Sequence, residues 1–242
     1  MKKRTAVVTG GTRGIGRGIC ELLKEEGYDV VAGYAGNEEA AAKFSEETGI
    51  ETHKWDVSDF NACQEAIEAI SASHGNPTIL VNNAGITRDM TFKRMTKADW
   101  DAVIRTNLDS VFNTTKQVLD GMVERKWGRI VNVSSLNGIK GAFGQTNYAA
   151  AKAGMHGFTK SLALEVARSG VTVNTISPGY IGTKMVLSIP REVLDSKILP
   201  QIPMNRLGKP EEIAGLIAYL CSEEAAFVTG ANISINGGQH MF

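Results

Sequence analysis

The sequence predicts an α/β protein in which a seven-stranded parallel sheet is doubly wound, with helices on both faces. Three observations carry this prediction. Short β-branched runs alternate with longer segments of helical period, as buried parallel strands alternate with their crossover helices. The first run ends in a glycine cluster that opens a helical segment. No linker, repeat or low-complexity stretch breaks the alternation, so residues 1–242 are expected to form one domain.

The elements follow in order. The first strand is expected near 5–10 (TAVVTG), and the glycines of TGGTRGIG turn the chain into a helix beginning near Ile15. A second run near 28–34 (YDVVAGY) leads to Asn37, Glu38 and Glu39. Asn37 suits a cap there, and the two acids suit the first helical turn, where the macrodipole favours negative charge. Further strands are expected near 50–55 (IETHKW), 78–83 (TILVNN) and 128–135 (GRIVNVSS), with one long helical pattern over 98–124. A helix over 147–168 follows and holds the stretch QTNYAAAKAGMH, in which Tyr148 and Lys152 lie one turn apart on one face. The last strands are expected near 171–179 (VTVNTISPG) and 231–237 (ANISING), separated by a helix over 210–224. Residues 183–209, with prolines at 190, 200 and 203, show little periodicity and read as a lid.

Composition narrows the function. Hydrophobic residues make up 43% and charged residues 21%, with a formal net charge of zero, so neither nucleic-acid binding nor disorder is indicated. Cys20, Cys63 and Cys221 are far apart and odd in number, and His53, His74, His156 and His240 are scattered. Neither a disulfide framework nor a metal site is expected, and a reducing cytoplasm is the expected location. The opening MKKRTAVVTGG imitates a signal peptide for a few residues, but its apolar run is short and ends in glycines. No apolar run reaches membrane-spanning length.

Gly10, Gly14 and Gly16 follow the first strand with the spacing G-x-x-x-G-x-G. They allow a tight turn and the approach of backbone amides to a pyrophosphate at a helix N-terminus, the device of Rossmann-type dinucleotide sites. The second strand ends at Gly33, Tyr34 and Ala35 without the acid that holds the 2′-hydroxyl of NAD. Arg13, inside the glycine loop, suits a 2′-phosphate. NADP(H) is the expected cofactor.

Joined to the glycine loop, the Tyr148-x-x-x-Lys152 pair resembles the short-chain dehydrogenase/reductase family. NNAG at 82–85, Asn107, Ser135 thirteen residues before the tyrosine, and Pro178-Gly179 stand where that family has them. The resemblance covers essentially the whole chain. It implies that Tyr148 donates a proton to a carbonyl oxygen and that Lys152 assists it while holding the nicotinamide ribose. It further implies that Ser135 orients the substrate oxygen and that Asn107 holds a water leading from Lys152 to solvent; Ser134 is the rival for the serine role. The tyrosine's ordinary pKa of about 10 then has to fall by roughly three units, which a lysine cation about 4 Å away is expected to supply. The implied cofactor shell is Gly10, Thr12, Arg13, Gly14, Ile15, Gly16, Tyr34, Asp56, Val57, Asn83, Ala84, Gly85, Tyr148, Lys152, Pro178, Gly179, Ile181 and Thr183. Trp100, Trp127 and Met155 are expected in the core or an interface.

Within the family, the wording of 82–113, 127–160 and 177–185 most resembles enzymes that reduce acetoacetyl-CoA with NADPH to (R)-3-hydroxybutyryl-CoA in polyhydroxyalkanoate synthesis. Reductases of 3-oxoacyl-(acyl carrier protein) are near relatives and the alternative, and Arg13 is common among them. A non-catalytic nucleotide sensor is the alternative of another class, although such a protein needs no proton donor. The resemblance places Ser135, Phe143, Gln145, Tyr148 and Tyr180 on the substrate, with Phe143, Gln145 and Tyr180 walling a small acyl pocket, and Arg88, a cation on the loop after the fourth strand, suits the phosphates of CoA. It also implies an acyl-CoA partner and a homotetramer.

Overall fold

The computed structural model describes residues 4–241, so Met1, Lys2 and Lys3 of the opening stretch lie outside the described residues. Among the described residues there are seven strands: β1 (Thr5–Val8), β2 (Asp29–Tyr34), β3 (Glu51–Lys54), β4 (Ile79–Asn82), β5 (Gly128–Val133), β6 (Val171–Pro178) and β7 (Asn232–Ile235). They form one sheet in the order β3-β2-β1-β4-β5-β6-β7, and every pairing is parallel. The order reverses between β1 and β4, so the loops after these two strands part over a crevice at the carboxyl edge of the sheet. Ligands of doubly wound sheets bind at this switch point.

The main helices are α1 (Gly14–Glu25), α2 (Glu38–Thr48), α3 (Phe60–His74), α4 (Lys97–Ile104), α5 (Ser110–Glu124), α6 (Asn137–Lys140) and α7 (Thr146–Val166). Short helices α8 (Lys184–Leu187) and α9 (Arg191–Val193) precede α10 (Pro210–Cys221). Alternation along the strands sends side chains to two cores. Ala6 and Val8 join Ile19 and Leu23 of α1 and Ile213, Ile217 and Leu220 of α10. Val7 faces the other way, toward Ile67 and Ile70 of α3, Val118 and Met122 of α5, and Leu162 and Val166 of α7. Each such aliphatic side chain contributes about 1.5–3 kcal/mol when fully buried.

The single helix expected over 98–124 is divided. Residues Arg105–Asp109 form a π-helical turn between α4 and α5, and Asn107 lies within it, fully buried. A local bulge of this kind turns a side chain out of register with the helix on either side. Residues 183–209 carry α8, α9, a π-helical turn (Leu194–Ile198) and a 3₁₀ turn (Leu199–Gln201). Leu194, Ile198 and Ile202 form their own small apolar cluster with Tyr180, Val186 and Leu207. The segment packs as a separate unit at the carboxyl edge, which is why it lacks the period of a core helix.

Buried amides and hydroxyls tie the centre of the sheet to two helices. Asn82 Nδ2 donates to Asn132 Oδ1 at 2.8 Å, and Asn82 Oδ1 accepts from Thr114 at 2.6 Å. Asn132 Nδ2 donates in turn to Thr159 Oγ1 at 2.9 Å, and Thr159 meets Thr175 at 2.6 Å. The chain thus joins β4, α5, β5, α7 and β6, and its members satisfy one another where an unpaired group would cost about 1–3 kcal/mol.

Candidate active site

The glycine loop is shaped by close approach. Gly10 and Gly14 have φ of +64° and +54°, a region that side chains other than glycine disfavour. At Gly16 an added Cβ would stand 2.1 Å from the Gly10 carbonyl oxygen. The loop is clamped from β4: Asn83 Nδ2 donates to the carbonyls of Thr9 and Gly10 at 2.9 and 3.1 Å. The backbone amides of Asn83 and Ala84 both donate to the Thr9 hydroxyl at 3.0 Å. Thr12 is buried, whereas Arg13, the residue before α1, is exposed and makes no side-chain cap. Ile15 is half-buried against the α1 core. An anion at the α1 N-terminus meets free amides there and a bare guanidinium nearby. These residues fit a dinucleotide.

Tyr34 ends β2 beside this loop, and the Gly11 amide donates to Gly33 O at 2.9 Å. Asp56, exposed beyond β3, accepts from the Ser58 amide, and buried Val57 accepts from Asn113 Nδ2 at 3.0 Å. On the far side of the crevice, Pro178 O accepts from the Leu136 amide and Gly179 N donates to Ile235 O. At Gly179 an added Cβ would meet Asn236 Cα at 2.9 Å. Ile181 is buried, and Thr183 precedes α8, its methyl 3.5 Å from the position of a Gly14 Cβ. The two sides of the cofactor shell therefore meet across the glycine loop.

Tyr148 and Lys152 stand near the start of α7, with the Lys152 amine between the end of β5 and the loop after β4. The Lys152 side chain is buried; its Nζ donates to Val133 O at 2.7 Å and lies 5.7 Å from the Tyr148 ring centroid. Burial lowers the Lys152 ammonium to about 7. Tyr148 shares a hydrogen bond with Ser135, which pulls its pKa down, but burial pushes it up more strongly and Asp89 adds to the rise. Burial of the phenol is the largest influence and outweighs the Ser135 hydrogen bond.

The two serines are divided by geometry. Ser134 is buried and donates to Lys152 O at 2.9 Å, with His156 Nε2 also 2.9 Å from its hydroxyl. Ser135 hydrogen-bonds Tyr148 instead, and its hydroxyl accepts from the Asn137 amide at 3.1 Å. The Asn107 side chain is tied to the loop after β4. Its amide donates to Ile86 O at 2.8 Å, and its Oδ1 accepts from Ile86 N at 2.9 Å. Gly85 permits this, since a Cβ there would meet Asn107 Oδ1 at 2.6 Å and Lys152 Nζ at 3.6 Å.

The residues expected on the substrate are spread out. Gln145 bridges, donating to Asp89 Oδ2 at 2.7 Å and accepting from Asn137 Nδ2 at 2.9 Å. Arg88 is exposed, bonded to its neighbour Thr87 O. Tyr180 packs on the cluster of residues 194–202. Phe143 is 94% exposed, on the turn between Gly141 and Gly144, both of which have positive φ. Asp89 and Asn137, which hydrogen-bond Gln145, carry no sequence signal beyond being polar. Trp127 is partly buried between Arg4 and Arg129, at 3.7 and 4.4 Å from its ring, and Met155 is wholly buried.

Comparison with known proteins adds to this geometry. A profile of the family described as enoyl-(acyl carrier protein) reductase matches residues 10–240. The chain is 57% identical to an acetoacetyl-CoA reductase of Shinella zoogloeoides over 98% of both chains. It is 55% identical to the acetoacetyl-CoA reductase of Cupriavidus necator over the full length of both. A 3-oxoacyl-(acyl-carrier-protein) reductase of Vibrio harveyi is 46% identical over 100% of this chain and 99% of its own.

Proposed function

The chain belongs to the short-chain dehydrogenase/reductase family, and on that premise we propose that it reduces acetoacetyl-CoA to (R)-3-hydroxybutyryl-CoA with NADPH, as in polyhydroxyalkanoate synthesis. The likeness to acetoacetyl-CoA reductases over whole chains carries the choice of substrate; the Ser135–Tyr148–Lys152 arrangement supports the chemistry. The chain is an oxidoreductase acting on a CH–OH group.

The nicotinamide, when bound, supplies a hydride to the substrate carbonyl carbon. Tyr148 holds the proton that the carbonyl oxygen receives, and its raised pKa keeps that proton in place until the oxygen becomes basic. Ser135 hydrogen-bonds the same oxygen and orients it. Lys152, poised near neutrality, returns a proton to the phenolate, and Asn107 fixes the loop after β4 against which the site is built. Arg13 meets the 2′-phosphate. Arg88, Lys93, Arg94, Lys140 and Lys184, on the loops after β4, β5 and β6, offer cations to the phosphates of CoA, while residues 183–209 close over the acyl end. The enzyme acts in the cytoplasm as a homotetramer.

The test is loss of NADPH absorbance on adding acetoacetyl-CoA to purified protein, with chiral analysis of the product. Stoichiometric formation of the (R)-alcohol is expected. Absence of turnover with both acetoacetyl-CoA and the carrier-protein thioester would favour the nucleotide-sensing alternative.

A further inference from the structure

We propose that Lys54 determines cofactor specificity: it leaves its partner Glu38 to meet the 2′-phosphate, turning a corner that carries an acid into one that takes a phosphate. This rests on the NADP(H) reading above. β2 ends at Tyr34, and the register partner of Tyr34 in β3 is Lys54. Partners in parallel register project to the same face, so both side chains rise together at the carboxyl edge, where the adenosine ribose sits in doubly wound folds. Lys54 Nζ forms an ion pair with Glu38 in the first turn of α2, with both side chains more than half exposed. The glycine loop is one strand away, joined to β2 through Gly11 and Gly33, and Arg13 forms no ion pair among the described residues.

An acid at this corner accepts the 2′-hydroxyl of NAD and repels a phosphate. The strand itself ends without such an acid, but Glu38, in the first turn of α2, brings a carboxylate near this corner, and Lys54 neutralises it. Exposed ion pairs are weak, whereas a lysine on a phosphate makes a stronger, charge-assisted contact. Exchange of partner is therefore favourable when the phosphate arrives. Lys54 is exposed on an edge strand, so its replacement disturbs no core packing.

The experiment titrates 2′,5′-ADP and 5′-AMP calorimetrically into the wild type, Lys54→Met and Glu38→Gln. Lys54→Met is expected to weaken 2′,5′-ADP binding about tenfold and leave 5′-AMP almost unchanged, while Glu38→Gln tightens 2′,5′-ADP. A wild type that does not prefer 2′,5′-ADP overturns the NADP(H) reading and this one with it. A wild-type preference that survives in Lys54→Met overturns the role of Lys54 alone. So does an equal loss of both ligands, which marks a general disturbance of the site.

Discussion

Tyr148 and Lys152, to which the proposed reaction gives the proton transfer, are a phenol whose pKa burial raises and an amine that burial brings to about 7. Tyr148→Phe removes the donor and leaves the glycine loop intact. NADPH binding, followed by fluorescence, is expected to persist while turnover falls a hundredfold to ten-thousandfold, about the worth of a general acid; near-normal turnover would remove Tyr148 from the mechanism. Lys152 also leaves a mark on stability. Between about pH 7 and its unfolded value near 10.4, the unfolded chain keeps the lysine proton and the folded chain has lost it, so stability rises with pH. Compared with Lys152→Met, the wild type is expected to gain about 2 kcal/mol between pH 7 and pH 9 in chemical denaturation. A parallel pH dependence in the two proteins would show that the lysine titrates in the ordinary range. Both residues are legible in the sequence from their spacing. The direction in which Tyr148 shifts is not, because it depends on how deeply α7 is packed.

At the scale of elements, the strands stand where the β-branched runs put them, since apolar runs between turn residues have little alternative in a sheet covered on both faces. The helix between β4 and β5 is the informative departure. Its apolar period continues through Arg105–Asp109, and nothing in that period announces a π turn. The lone signal is Asn107, a polar side chain inside a helical pattern. Asn132 in the apolar run of β5 is a signal of the same kind, and it proves to be the hinge of the buried amide chain. Asn107→Ala leaves the amide and carbonyl of Ile86 without their partners. A loss of about 2–4 kcal/mol is expected in denaturant titrations, together with a fall in kcat at little-changed NADPH affinity. Unchanged stability would mean that water replaces the Asn107 side chain.

For the whole molecule, the sheet order brings together three loops far apart in the chain, after β1, β4 and β6, which carry the motifs proposed for the cofactor. The acyl end was less readable. The residues proposed for it lie in 183–209 and in the Gly141–Gly144 turn, where exposure and irregular backbone replace periodicity. The choice of acyl carrier therefore tests the account most directly. Specificity constants for acetoacetyl-CoA and acetoacetyl-(acyl carrier protein) are to be measured side by side with NADPH. Efficient reduction of the CoA thioester, with activity falling for longer 3-oxoacyl chains, is the expected result. A hundredfold preference for the carrier protein, about 2.7 kcal/mol in transition-state binding, would contradict it.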